Sequence, residues 1–328
     1  MKRQVLSLAV FLMAVAWITT AWSQDAPASR GNFPQKGKPI SIILGYPAGG
    51  GTDIGTRVLA AMLEKEIGTS ISVINKPGAG SQIGLTELVR AKPDGYTLGM
   101  ANFPFVVTST MEPKRQAIYK RTSFQPIATQ VTIPKVIAVQ AGSPYKTMKD
   151  LVDAAKANPE KLKAAAGGQL GDNHLCLLLL QKAAGIKLAL VHFDGGAAGI
   201  NALLGGHLDL ASAVPPEVVS HVNSGALRVL GVTGDQENRF LPGVKTMEAQ
   251  GYSVPMSVVS GLVAPAGVPK EVVDLLSGAA KKVIESAEHR KKIEDLYYTV
   301  FYRNPEQYAK LWVEAEEQLK TVMELAIQ

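Results

Sequence analysis

Two glycine-rich segments hold the residues of this chain best suited to chemistry. The first reads Leu44-Gly45-Tyr46-Pro47-Ala48-Gly49-Gly50-Gly51-Thr52-Asp53. The second, about thirty residues on, reads Asn75-Lys76-Pro77-Gly78-Ala79-Gly80-Ser81-Gln82. Each leaves a short apolar run and enters a stretch with helical spacing. Glycine lets backbone approach a guest closely, and the open N–H groups of a helix start favour a carboxylate or a phosphate. Two such loops aimed at one place are an expected anion cradle. Thr52 or Asp53 is suited to cap the helix that follows the first loop. The plainer alternative is a pair of tight strand–helix turns with no guest. The repetition of the design counts against it.

Other chemistries fit less well. The spacing Gly78-x-Gly80-x-x-x-Gly84 is one residue off the dinucleotide fingerprint, and no acidic residue follows the next strand at the required distance. A Gly-Lys-Ser/Thr phosphate loop and a Gly-x-Ser-x-Gly nucleophile elbow are both missing from the sequence. His174, His192, His207, His221 and His289 show no metal-ligand spacing and read as structural or surface histidines. Asp172 and His174 are the acid–base pair to weigh for an enzyme, but their i, i+2 spacing puts them on different helix faces. Cys176 is the only cysteine, so no intramolecular disulfide can form. Its apolar neighbours, Leu175 to Leu180, predict a buried, inert thiol. No catalytic residue, metal or cofactor is therefore expected. The design points to binding without turnover.

The elements that must position these loops alternate regularly. Ile40–Leu44, Ile71–Ile74 and Tyr96–Met100 read as strands, with helices over Asp53–Ile67 and Gln82–Ala91 between them. This β-α-β-α-β order predicts a parallel sheet with helices on both faces. A second series follows. Val136–Val139, Leu162–Ala166, Leu188–His192, Leu208–Ala213 and Leu227–Thr233 read as strands. Thr147–Ala157, Asp172–Ala184, Ala197–Leu204 and Pro216–Ser224 read as helices. After the apolar run Val258–Ala264 the chain is mostly helical, from Pro269, over Glu288–Leu296 and over Asn304–Leu325. With too few strands for a sheet of its own, that last part must pack on the first sheet. The chain then crosses between two domains twice, near 131–136 and near 255–260.

Composition sets the outer bounds. Lys2 and Arg3, the apolar run Val5–Ile18 and the small-residue signal Ala21-Trp22-Ser23 resemble a secretory signal peptide cleaved after Ser23, with a retained N-terminal anchor as the alternative. The apolar core is too short for a membrane span. Cleavage would take the formal charge from +6 to +4, because Lys2 and Arg3 leave with it. The polar stretch from Gln24 to Gly37 reads as a flexible leader. No dense Lys/Arg cluster is interleaved with aromatics, so nucleic acid is not an expected partner.

Segments Gly45–Arg57, Asn75–Gly84 and Pro93–Leu98 together resemble the signature of the tripartite tricarboxylate transporter substrate-binding proteins, the Bug family. Gly195-Gly196 through Leu203-Leu204-Gly205-Gly206-His207-Leu208-Asp209, Ser224–Leu230 and Leu262-Val263-Ala264-Pro265 agree with it. The resemblance covers nearly all of the chain after the leader. It implies a periplasmic, two-lobed α/β architecture of the type II-like periplasmic-binding-protein kind, each lobe a doubly wound sheet flanked by helices. Lobe 1 would be 38–133 with 257–328, and lobe 2 would be 134–256. A small carboxylate would bind in the interlobe cleft, be captured by hinge closure and pass to membrane permease subunits, with the protein acting as a monomer. The family's carboxylate-holding loops map onto Tyr46, Ala48, Gly49, Gly50, Gly51, Thr52 and Asp53, and onto Gly78, Ala79, Gly80, Ser81 and Gln82. Phe103, and Gly168, Gln169 and Asp194 on the far side, complete the implied site. Arg57, one turn past the first loop, is expected to pack on its helix and not to touch ligand.

The chain departs from the family in the second lobe. Gly168-Gln169-Leu170-Gly171-Asp172-Asn173-His174-Leu175 keeps the family's frame but puts Gly171 in place of a hydroxyl residue. Asp172 is expected to cap the helix carrying Cys176, and Val259-Ser260 stands where the family has an aromatic pair. A dicarboxylate, a hydroxy or amino acid and an aromatic acid all remain open as ligands. Two other readings stay beside the transport role. One is a secreted α/β enzyme on a small carboxylated or phosphorylated substrate, and the other a ligand sensor that docks to a membrane receptor.

Overall fold

The computed structural model describes residues 33–193 and 196–327. The signal-like segment, most of the leader and Asp194 lie outside the described residues. The first strand, β1 (Ile40–Leu44), is nearly all apolar and buried, and leads through the first glycine loop into α1 (Gly51–Ile67). Leu59, Ala60 and Leu63 form the buried stripe of α1, which Gly68 ends at φ 75. Only glycine takes that left-handed conformation without strain. Next come β2 (Ile71–Asn75), α2 (Gln82–Arg90), β3 (Thr97–Phe103) and the short α3 (Phe105–Met111). An eleven-residue strand, β4 (Phe124–Pro134), closes this part. It escapes a sequence reading because Pro126 and its polar residues interrupt any alternation.

The second series is β5 (Val136–Gln140), α4 (Met148–Ala157), β6 (Lys163–Ala166), α5 (Asp172–Ala184), β7 (Ala189–His192), α6 (Gly196–Leu204), β8 (Leu210–Ala213), α7 (Pro215–Asn223) and β9 (Leu227–Val232). Thr147 caps α4 in a capping box, with Asp150 accepting from the Thr147 amide at 2.9 Å. The last elements are β10 (Ser257–Pro265), α8 (Lys270–Ile284), α9 (Ala287–Glu294), β11 (Thr299–Arg303) and α10 (Pro305–Ile327).

These strands make two sheets, ordered β11-β4-β10-β3-β1-β2 and β7-β6-β8-β5-β9. Both sheets are mixed, and the strands expected to be parallel, β1, β2 and β3, are so. In the first, β2, β1 and β3 are parallel, but β10 lies antiparallel between β3 and β4, and β11 is antiparallel to β4. In the second, β5 is antiparallel to both β8 and β9. The cause in the first sheet is the return path: β4 runs out toward the second sheet, so the strand that comes back must run the other way. The late helices do pack on the first sheet, as the shortage of late strands implied. Tyr308 and Trp312 of α10 are fully buried, and the Trp312 ring meets Phe103 edge-on at 5.0 Å. Trp312 and Phe103 share one apolar cluster with Leu175 and Leu180 of α5, so α10 links the two sheets' cores.

The passages between the sheets are Lys135, linking β4 to β5, and the segment between β9 and β10. Thr233 ties them together. Its amide donates to the Lys135 carbonyl (2.8 Å), its hydroxyl accepts from the Lys135 amide (2.8 Å) and donates to the Met256 carbonyl (2.5 Å).

Candidate ligand-binding site

The two glycine loops touch. A Cβ on Gly45 would stand 2.3 Å from Ser81 Cβ, and one on Gly84 would stand 3.0 Å from the Gly45 Cα. Small residues are needed because the end of β1 and the start of α2 occupy the same space. The second loop is wound through four successive left-handed residues: Gly78 (φ 131), Ala79 (φ 48), Gly80 (φ 63) and Ser81 (φ 72). Two of these are not glycine, and such strain persists only where surrounding structure imposes it, which is most often at functional sites.

The first loop is held differently from expectation. Gly50, not Thr52 or Asp53, is the N-cap of α1. The buried Asp53 carboxylate turns back to accept the Gly49 amide (2.9 Å), Arg57 Nε (3.0 Å) and Asn75 Nδ2 (2.8 Å). Asn75 also donates to the Tyr46 carbonyl at 3.0 Å, and Arg57 Nη2 donates to Asn75 Oδ1 at 2.8 Å. Burial would raise the Asp53 pKa, but the hydrogen bonds from Arg57, Gly49 and Asn75 outweigh it and hold the pKa down to about 2. Asp53 and Arg57 thus brace the loop from behind. The amides of Gly51, Thr52 and Asp53 carry no acceptor among the described residues, nor do those of Ile83 and Gly84 at the start of α2.

Side chains between the loops are arranged around this amide set. Thr52 Oγ1 accepts from Asn102 Nδ2 (3.2 Å), and Asn102 Oδ1 accepts from Ser260 Oγ (2.7 Å). The Tyr46 hydroxyl and Ser81 Oγ are buried without a partner among the described residues. Burial pushes the Tyr46 pKa up, the Ser81 and Asn102 side chains oppose that rise, and Asp172 adds to it from the facing side. A Cβ on Gly51 would collide with the Tyr298 hydroxyl, 1.7 Å away. Burial, then the Glu217 carboxylate, push Tyr298 up to about 12.

The facing side is built from the second sheet. Gly168 and Gln169 are exposed, Leu170 is buried at φ 59, and Gly171 is the N-cap of α5. The Asp172 carboxylate does not cap that helix. It pairs with Lys135 Nζ at 2.6 Å, and the Lys135 side chain is buried at the first passage between the sheets. His174 Nδ1 accepts from the Leu170 amide at 3.0 Å. Asp172 and His174 therefore engage separate partners. Burial and then His192 hold His174 neutral, its pKa near 4. Burial lifts the Cys176 thiol to about 11, as an inert thiol requires. Arg115 spans the gap: its Nη1 donates to the Ala79 carbonyl (3.1 Å) and its Nη2 to the Gln169 carbonyl (3.3 Å).

The structure thus brings together Tyr46, Gly51, Thr52, Gly80, Ser81 and, across the gap, Gln169. Ala48, Gly49 and Gly50 lie exposed on the outer turn of the first loop, and Gly78 and Ala79 are likewise exposed. Gln82 Nε2 turns away to the Arg115 carbonyl at 2.8 Å. Phe103 packs against Trp312 and lines a separate apolar cavity of about 250 Å³ with Pro104, Leu179, Val259 and Leu311. Lys135, Asn102, Arg115, Glu217 and Tyr298 are the additions that sequence reasoning did not supply. No group of His, Cys, Asp or Glu among the described residues is arranged to hold a metal.

Comparisons with known proteins converge on one kind of molecule. A family model described as "Tripartite tricarboxylate transporter family receptor" matches residues 56–326. A Cupriavidus necator protein described as "UPF0065 protein in gbd 5'region" is 31% identical over 328 residues, covering 98% of this chain and 97% of its own. Among solved structures, the periplasmic binding protein BugD is 29% identical, with a TM-score of 0.75 over 88% of this chain and 97% of its own. MatC from Rhodopseudomonas palustris, solved with bound malate, is 23% identical, with a TM-score of 0.74 over 87% of this chain and 98% of its own.

Proposed function

This chain belongs to the tripartite tricarboxylate transporter receptor family, and we propose that it captures one small carboxylate between the two glycine loops and the facing side. The family is one of transporter receptors, not of enzymes, and the fold is that of periplasmic binding proteins. The observation that carries the proposal is the unbonded amide set at the starts of α1 and α2, held by loops in contact at Gly45 and Ser81. Helix starts with free N–H groups stabilise an anion, and a carboxylate is an anion of fitting size. MatC, whose structure contains malate, has the same fold. Water between ligand and loop can add to such contacts at little cost in affinity.

The two passages at Lys135 and around Thr233 support capture by hinge closure. The lobes that close would be 38–133 with 257–328, and 134–256. Delivery to membrane permease subunits, export under a signal peptide cleaved after Ser23 and action as a monomer complete the reading. The sensor alternative shares all of this except the partner. A thermal-shift panel of small acids tests the core of it: a carboxylate at about a hundred times its Kd should add roughly 2.7 kcal/mol to stability.

A further inference from the structure

Lys135 is the least expected residue in the cleft. Its side chain is only 1% exposed, at the one-residue passage between β4 and β5. A lysine buried to this degree is tolerated only with a counter-ion, and Asp172 Oδ2 supplies one at 2.6 Å. Asp172 is the cleft-facing member of the pair, with a side chain 19% exposed, and it acts on the Tyr46 hydroxyl from across the gap. The lysine's charge is therefore already answered, and the group a ligand meets is a carboxylate.

The neighbours of Asp172 are also acceptors. Glu217, half-buried on α7, accepts the Val214 amide on Oε2 at 3.1 Å, and its carboxylate sits against Gly196 at the start of α6, where an added Cβ would fall 2.2 Å from Oε1. Asn173, 5% exposed, buries an amide oxygen with no partner among the described residues. The two sides of the cleft thus have opposite chemistry. The glycine loops offer donors to an anion, and the far wall offers acceptors.

We infer that the far wall formed by Asp172, Glu217 and Asn173, with Lys135 as the buried counter-ion of Asp172, selects a monocarboxylate bearing a hydroxyl or ammonium donor at its distal end over a dicarboxylate of equal length. This rests on the proposed carboxylate capture at the glycine loops and names what the other end of the ligand must carry. A second carboxylate would face a like charge on desolvation, which opposes its binding. A hydroxyl or ammonium would instead satisfy Asp172 Oδ1, the oxygen that Lys135 does not take.

The test is calorimetric titration of the purified protein with two matched sets: succinate, 3-hydroxypropanoate and β-alanine, then adipate, 6-hydroxyhexanoate and 6-aminohexanoate. In at least one set the hydroxy or amino acid should bind about tenfold or more tightly than the diacid. Asp172→Asn leaves Lys135 without its counter-ion, so the ligand's second carboxylate can take that place and the order should reverse. If that variant fails to fold, the Lys135→Met/Asp172→Asn double variant, which has no unpaired buried charge, should narrow the preference to under about threefold. A diacid that binds best to the unmodified protein overturns this inference and leaves carboxylate capture standing. So does an unchanged order in the variant that folds. Failure of all six acids to bind overturns the capture reading and this inference together.

Discussion

The Asp53 carboxylate lies 2.9 Å from the amide of Gly49, four residues earlier, and so closes the first glycine loop on itself. The loop's shape is imposed from behind by a buried charge, and the amides of Gly51 to Asp53 are left for a guest. Asp53→Ala would orphan the Gly49 amide, Arg57 and Asn75 at once. We expect a stability loss of about 2–3 kcal/mol in urea unfolding, together with weaker carboxylate binding. A stability change under 0.5 kcal/mol would remove Asp53 from this bracing role.

Acid should test the same carboxylate. Its folded pKa of about 2 lies below the ordinary value of 3.8. The stability it contributes is therefore complete above pH 3.8 and is lost as pH falls through about 2. The stability gap between the wild type and Asp53→Asn should stay constant from pH 7 to 5 and shrink only at lower pH.

The two buried histidines act in a higher window. Burial, then His192, lowers His174 to about 4. Burial also lowers His289 to about 4, against the opposing Ile284 hydrogen bond and with a smaller push from Arg290. Both rings are neutral when folded, so their contribution is complete above pH 6.5 and is lost as pH falls toward 4. The wild type should lose about 3 kcal/mol per ring across that window. His174→Gln should show a shallower slope in denaturant titrations repeated at successive pH values. His174 carries a further consequence. Protonation at Nδ1 would eject the Leu170 amide, so ligand affinity should also fall below about pH 4.5.

The glycines of the cradle should not behave alike. Gly50 sits at φ −74 with only the Pro47 carbonyl 3.5 Å from an added Cβ, so Gly50→Ala should fold with near wild-type stability. Gly80 sits at φ 63 with Arg115 Nη1 3.2 Å from an added Cβ, and Gly80→Ala should cost about 1 kcal/mol. Gly45→Ala should be the worst of the three, because its Cβ would fall 2.3 Å from that of Ser81. Thermal melts of the three variants would rank them.

Arg115 joins the Ala79 and Gln169 carbonyls across the gap. Arg115→Ala should weaken ligand binding by about 1 kcal/mol, roughly fivefold in Kd, mainly through faster release. Stopped-flow dissociation with unchanged melting would separate this from a folding defect.

Much of this site was legible in the sequence, because strand–glycine–helix loops announce themselves over a few residues. Gly45, Gly80 and Gly84 stand where packing or a left-handed backbone demands them. The residues that were not legible come from afar. Lys135 meets Asp172 only because α5 packs over β6 and β8 and β8 pairs with β5, the strand that follows Lys135, and Arg115 reaches Gln169 only across the gap. The capping role suggested for Asp53 was misleading, because Arg57 and Asn75 pull its carboxylate behind the loop and Gly50 takes the N-cap place. The antiparallel β10 was missed for a related reason. An apolar run shows that a strand is buried, not which way it runs.

The most direct test of the account is whether the cradle recognises a carboxylate as an anion. Acids from a thermal-shift panel that includes malate, adipate and 6-hydroxyhexanoate would be titrated by calorimetry beside their primary amides. One-site, saturable binding of at least one acid, with its amide at least a hundredfold weaker, is the result predicted. Equal binding of acid and amide, or no binding of any acid, would contradict it.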